Sequence, residues 1–143
     1  MIFREARTED ISALSEVRLS VQENALSNPH LITREMYETH LCDIGKGWLC
    51  EVDGEVVGFS VASLRDASIW ALFVKPAHER RGIGQRLLHL AVAWLFDMGL
   101  SSIALSTAAN TRADRFYERQ GWQRGELKAN GEVCYRLDNQ SGT

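Results

Sequence analysis

The spacing of apolar residues changes period several times along the chain, and each change predicts an element. Residues 1–7, Met-Ile-Phe-Arg-Glu-Ala-Arg, read as an opening strand. Behind Thr8 or Asp10 as a cap, Ile11, Leu14, Val17, Arg18 and Val21 recur at helical spacing until Asn28-Pro29 interrupts them. Thr33 then heads a second helix carrying Met36, Tyr37, His40, Leu41 and Ile44, ended by Gly45 and Gly47. Segments 48–52 and 56–64 flank Asp53-Gly54, a pair that supplies the positive φ angles of a tight hairpin. Residues 69–74, Ile-Trp-Ala-Leu-Phe-Val, are apolar without alternation, as a central strand covered on both faces should be, and Pro76 stops them.

Ile83, Leu87, Leu88, Leu90, Ala91, Trp94, Leu95 and Met98 trace the apolar face of a long helix that Gly99 ends. Ile103-Ala104-Leu105 predicts a short strand, and a strand, helix and strand in this order must lie parallel through a crossover. A helix over 111–119 closes at Gly121, and segments 122–128 and 132–137 flank Asn130-Gly131 as a final hairpin. The predicted order is βααβββαβαββ, an α/β fold (α+β, mixed sheet) with helices on both faces. With no internal linker or repeat, residues 1–138 are expected to form one domain and 139–143 a loose tail.

Composition narrows the function. Sixteen basic against 19 acidic residues give a net charge of −3, which argues against a broad nucleic-acid footprint. No apolar run approaches the roughly 20 residues that cross a bilayer, and the first ten residues are charged where a signal peptide is apolar, so a soluble, cytoplasmic protein without membrane partners is expected. Cys42, Cys50 and Cys134 form no C-x-x-C and are expected to be reduced packing residues. His30, His40, His78 and His89 show no metal-ligand spacing, so no metal is expected.

The chemistry gathers between the central strand and the long helix, at His78-Glu79-Arg80-Arg81-Gly82-Ile83-Gly84-Gln85-Arg86. Two glycines at a helix start allow close backbone approach, the first-turn amides lack helical partners, and the helix dipole favours an anion. Arg80, Arg81 and Arg86 add charge, so the segment has the makings of a pyrophosphate cradle. No Gly-Lys-Ser/Thr follows, and Leu87 stands where G-x-G-x-x-G needs a third glycine, which sets aside two familiar nucleotide loops. The plain alternative is a tight connection whose glycines only turn the chain.

Ala71-Leu72-Phe73-Val74-Lys75-Pro76, then Glu79-Arg80-Arg81-Gly82-Ile83-Gly84 with Leu87-Leu88, then Asn110-Thr111-Arg112-Ala113, Phe116-Tyr117 and Gly121-Trp122 together resemble the GNAT superfamily of acetyl-CoA-dependent N-acetyltransferases. The resemblance implies a single-domain GNAT fold whose parallel central strands splay apart, with acetyl-CoA as co-substrate. It implies that Leu72, Phe73 and Val74 hold the pantetheine arm, and that the turn formed by Arg80, Arg81, Gly82, Ile83, Gly84 and Gln85 holds the pyrophosphate. It also implies that Asn110 bonds the arm near the thioester and that Tyr117 points its hydroxyl at the sulfur. Glu79 departs from the family pattern, which often has Arg or Gln there, and suits the site only if it turns away.

Direct attack of an amine on the thioester sets three demands: a neutral amine, a stabilised oxyanion and a stabilised thiolate. Deprotonating a lysine-like amine at pH 7 costs about 4.6 kcal/mol. Glu23, with Asn24 between the first two helices, is the first candidate for base or amine anchor, a solvated helix carboxylate being the alternative; Asp66 and Glu51 follow, and His40 is expected to pack. A backbone amide of the splayed strand can serve the oxyanion. Tyr117 can donate to the departing sulfur, or be a packing aromatic; adjacent helix residues diverge by about 100°, so Phe116 and Tyr117 should not both face one core. Trp48, Trp94 and Trp122 are expected in the core, and Trp70 there or walling the acceptor pocket. Arg112 and Arg115 are expected either as solvated arginines or near the mouth, within reach of the CoA phosphates. The acceptor is expected to be a primary amine of a small molecule or peptide, a homodimer stays open, and the rival function is a catalytically silent acyl-CoA-binding sensor.

Overall fold

The computed structural model describes residues 1–21 and 32–139. Its strands are β1 (Ile2–Glu5), β2 (Gly45–Val52), β3 (Glu55–Ser63), β4 (Ser68–Val74), β5 (Ser102–Ala108), β6 (Gln123–Leu127) and β7 (Glu132–Asp138). Its helices are α1 (Ile11–Ser20), α2 (Arg34–Thr39), α3 (Ile83–Asp97) and α4 (Arg112–Arg119), in the predicted order. The strands make one seven-stranded sheet, β1-β2-β3-β4-β5-β7-β6, antiparallel throughout except between β4 and β5.

Two apolar clusters lie on opposite faces of this sheet. Ile11, Leu14 and Val17 of α1 and Tyr37 of α2 pack on Leu49, Phe59, Val61 and Ala71. Leu87, Leu88, Ala91 and Leu95 of α3 pack on Trp48, Cys50, Val57 and Ile103 from the other side. Helix α3 approaches closely because position 58 is glycine: a Cβ there would lie 3.2 Å from Leu87 and 3.3 Å from Ile83. The buried Ser60 hydroxyl also donates to the Leu87 carbonyl at 2.9 Å.

Three details depart from the sequence reading. The second helix stops at Thr39 and continues as a wide π-type turn, His40–Ile44, with the His40 Nδ1 donating to the Met36 carbonyl at 2.8 Å. The last hairpin is no two-residue turn: Gly131 (φ 86°) has positive φ and Asn130 does not. Instead the Gly131 amide donates to the Lys128 carbonyl, and the Asn130 Oδ1 accepts from the Glu132 amide at 3.0 Å, so the asparagine acts through its side chain. Cys42 is exposed rather than packed, whereas Cys50 is buried and Cys134 half-buried, all three as free thiols.

The feature that positions the site is the parting of β4 from β5. Their ladder has a single register pair, Ser68 with Ala104, beside a 3.0 Å bond from the Ala104 amide to the Ala67 carbonyl. On its other side β4 is bulged. Ile69 pairs with Ala62 and Ala71 with Val61, leaving Trp70 as the extra residue. A bulge bends its strand and adds twist, which carries the rest of β4 away from β5. Beyond it the Lys75 amide donates to the Val57 carbonyl at 2.8 Å; antiparallel alternation then turns the amides of Leu72 and Val74 toward the gap.

Helix α4 is fixed at its start by Asp114. The Arg124 Nε and Nη2 reach its two carboxylate oxygens at 3.0 Å each, the Asn110 amide donates at 2.8 Å, and the Tyr135 hydroxyl donates to Oδ1 and to the Asp114 carbonyl. Thr111 caps the helix by accepting from the Asp114 amide. The Arg124 guanidinium, followed by these hydrogen bonds, holds the Asp114 carboxyl far below its ordinary 3.8 against the opposing effect of burial, while burial and the adjacent carboxylate push Tyr135 up to about 12. A depressed carboxyl stabilises the fold above its unfolded value and loses that contribution as the pH falls through its folded one. Tyr135→Phe is therefore expected to lower stability by about 2 kcal/mol in denaturant titrations. Stability should also fall as the pH drops below about 4, and Asp114→Asn should flatten that fall.

Candidate active site

Two clefts open along the gap and share Leu72, Phe73, Ala113 and Tyr117. The larger, of about 500 Å³, runs toward the start of α3. The smaller, of about 280 Å³, lies between the parted strands.

The loop and first turn of α3 bring Arg80, Gly82, Gly84 and Gln85 to the larger cleft. Gly82 caps α3 at φ 80°, a left-handed conformation that glycine adopts without a steric penalty, and Arg80 (φ 65°) is held in the same region. The first bond of the helix at this end runs from the Arg86 amide to the Gly82 carbonyl at 3.1 Å. The amides of Ile83, Gly84 and Gln85 therefore precede the helical ladder, as at any helix start that can receive an anion. Val74 lines the wall beside Gly84.

Across the cleft, Arg112, Arg115 and Arg119 of α4 complete a basic lining. Glu79 lines it too, and its carboxylate is paired with the Arg112 guanidinium, which ties the loop to α4 and neutralises the acidic departure noted in the sequence. Four expected residues lie elsewhere. Ile83 is buried in the core through its side chain, and Arg81 is exposed with its Nη1 3.4 Å from His78 Nδ1. Arg86 lies over the Phe3 ring, its guanidinium carbon 5.8 Å from the centroid. Asn110 is exposed and lines neither cleft; its role in the structure is the amide bond to Asp114.

Tyr117 sits at the junction of the clefts. Its ring contacts Phe116, Trp122 and Tyr135 at centroid distances of 5.3, 5.8 and 5.7 Å, and the residue is 6% exposed. The expected divergence of Phe116 and Tyr117 does not separate packing from function, because both touch the same core, Phe116 at its margin. Tyr117 is a packed aromatic, and burial is the one influence on its hydroxyl from the described residues. Burial pushes that hydroxyl above its ordinary 10, so it is protonated at neutral pH and keeps its donor.

The smaller cleft is lined by Trp70, by Ser106 and Thr107 of β5, by Glu132 of β7 and by Arg18 of α1. Trp70 is held by a stacked His40 at 3.9 Å and an edge-on Tyr37 at 5.3 Å, so His40 packs, as expected. Trp48 and Trp122 are buried, and Trp94 packs against Trp48. Glu51 is engaged by Arg4 at 2.8 Å and Asp66 by Ser63 at 2.9 Å, and neither lines a cleft. Glu23 and Asn24 lie outside the described residues. Sequence reasoning missed Arg18, Arg119, Ser106, Thr107 and Glu132; of these Arg18 alone left a signal, a charge in the apolar stripe of α1.

Residues 14–122 match the model of the acetyltransferase (GNAT) family. Solved structures share the fold at low identity. A ribosomal-protein-alanine N-acetyltransferase from Brucella melitensis is 20% identical with a TM-score of 0.80, over 97% of this chain and 100% of that one. The PaiA N-acetyltransferase from Thermoplasma acidophilum, solved with coenzyme A, is 16% identical with a TM-score of 0.78, over 96% and 98%. An acetyltransferase structure from Bacillus anthracis in complex with acetyl coenzyme A is 19% identical with a TM-score of 0.74, over 96% and 99%. The splayed strands, the glycine-bearing helix start and the match over most of the chain lead to one conclusion: this protein belongs to the GNAT family of acetyltransferases and is an acyltransferase.

Proposed function

We propose that the chain transfers the acetyl group of acetyl-CoA to a primary amine of a small molecule or peptide by direct attack in a ternary complex. The observation that carries this reading is the junction of the clefts. A ligand running from the start of α3 along the open edge of β4 comes out at Leu72, Phe73 and Tyr117, where the second cleft begins. The coenzyme A and acetyl coenzyme A bound in two structural neighbours support the choice of co-substrate.

In this reading the amides of Ile83, Gly84 and Gln85 with Arg80 hold the pyrophosphate, and the freed amides of Leu72 and Val74 pair with the pantetheine arm. A Cβ at Gly84 would sit 3.6 Å from Val74 and 3.9 Å from Phe116, both of which line the larger cleft, so a side chain longer than alanine would extend into the cleft. Acetyl-CoA supplies an acyl group activated as a thioester: the amine nitrogen bonds to the carbonyl carbon, the carbon–sulfur bond breaks, and the sulfur keeps the electron pair.

The chain's own groups serve the remaining demands. Tyr117 donates its hydroxyl proton, as a hydrogen bond or in full, to the departing sulfur; burial raises its pKa, which makes the donor reliable and full transfer harder. An amide of the open β4 edge faces the oxyanion. Glu132 lines the acceptor side, where it attracts the incoming ammonium and receives its proton, directly or through water.

Two variants test the two halves. Tyr117→Phe is expected to lower turnover at least tenfold, measured as thiol release across a panel of amino acids, polyamines and peptides, while acetyl-CoA affinity stays within about twofold; unchanged turnover would remove Tyr117 from the reaction. Gly84→Val adds two methyl groups at the cleft wall beyond a Cβ that fits. It is expected to weaken acetyl-CoA binding at least tenfold with little change in melting temperature. Retained affinity in the folded variant would refute the cradle.

A further inference from the structure

Helix α1 turns Ile11, Leu14 and Val17 into the core, and Arg18 follows on the same side. Its guanidinium carbon lies 5.1 Å from the Phe73 ring centroid and 5.8 Å from that of Trp70, so two walls of the smaller cleft are also the aromatic faces against which the cation rests. Arg18 is half-buried and lines that cleft, while its Nη1 is buried without a hydrogen-bond partner among the described residues. Among the described residues no carboxylate lies within 4.0 Å of it.

A second donor stands beside it. The Tyr37 hydroxyl, buried and without a hydrogen-bond partner of normal geometry among the described residues, neighbours the Arg18 guanidinium. Of this pair only Arg18 lines the cleft, and among the described residues no carboxylate meets its guanidinium there. A half-buried guanidinium resting on aromatic faces, with no counter-charge among the described residues, is well placed to receive one from a ligand. A planar guanidinium matches a carboxylate in a two-point arrangement. A phosphate dianion fits less well: the cleft holds one arginine and, on its β7 side, the like-charged Glu132.

We propose that Arg18 is a specificity-determining residue that selects an acceptor carrying a carboxylate beside its amine, such as an amino acid or an acidic peptide. The carboxylate rests on the Arg18 guanidinium, and the amine, of opposite charge, is directed toward Glu132 and the junction at Tyr117. This rests on the reading of the smaller cleft as the acceptor site.

The test uses probes that need no turnover. A panel of N-acetyl-L-amino acids, each carrying the free carboxylate of an acetylated product, is compared with the matching N-acetyl-L-amino acid amides by thermal shift on the full chain, with Arg18→Met and Arg18→Lys alongside. At about ten times Kd at least one acid is expected to raise the melting temperature by about 3–5 °C, with its amide raising it by under about 1 °C. Arg18→Met is expected to abolish the difference and Arg18→Lys to keep part of it. If no acid exceeds its amide on the unaltered chain, or if the difference survives in Arg18→Met, the proposal is overturned. Acetyl-CoA is run on the same samples: its shift should be equal in the unaltered chain and Arg18→Met, and loss of that shift in both would count against the co-substrate, separately from the acid-to-amide comparison.

Discussion

Everything functional in this molecule follows from one break in hydrogen bonding, the parting of two parallel strands. Strand β4 meets β5 at Ser68 and Ala104 and then leaves it, with Trp70 as the extra residue of a bulge on the β3 side. In the middle of a sheet a backbone edge without a partner is unfavourable unless something else pairs with it. Here the open edge faces two clefts, which gives an extended, amide-bearing ligand a place to act as the missing strand.

The rest of the fold holds the ends of that gap in place. On one side Gly58 and the Ser60 hydroxyl seat α3 tightly on β3, so the left-handed Gly82 and the free amides after it stand at a fixed height above β4. On the other side Asp114 ties α4 to Arg124 and Tyr135, and so fixes Tyr117 three residues further along the helix. Charge divides accordingly: arginines of α4 and the loop line the larger cleft, whereas the smaller has one arginine and one glutamate at separate walls. That division suits a polyanionic ligand in the first and a smaller, mixed-charge one in the second.

The element order and the glycine-bearing turn were legible in the sequence because each rests on local chemistry. Periodicity, the caps at Thr33 and Thr111, and the left-handed demand at Gly82 act within a few residues. What was not legible depends on pairing across the chain. The bulge at Trp70 exists only in the register of β3 against β4. Glu132, Ser106 and Thr107 reach the smaller cleft because β7 inserts beside β5, a placement no single segment encodes. The Asn130-Gly131 signal marked the last hairpin correctly, but the form of its turn, with positive φ at Gly131 and the Asn130 side chain accepting from the Glu132 amide, was not legible in the dipeptide. Glu79 looked adverse until its partner Arg112, 33 residues away, was in view.

The central claim is that the open β4 edge and the start of α3 together hold acetyl-CoA, and ligand-induced stabilisation tests it most directly. NAD and ATP share a pyrophosphate with acetyl-CoA but have no pantetheine arm to pair with the strand. At about one hundred times Kd, acetyl-CoA should add about 2.7 kcal/mol of stability, a rise of roughly 5–10 °C for a domain of this size, with NAD and ATP giving far less. Equal shifts from all three ligands, or none from acetyl-CoA, would contradict the account.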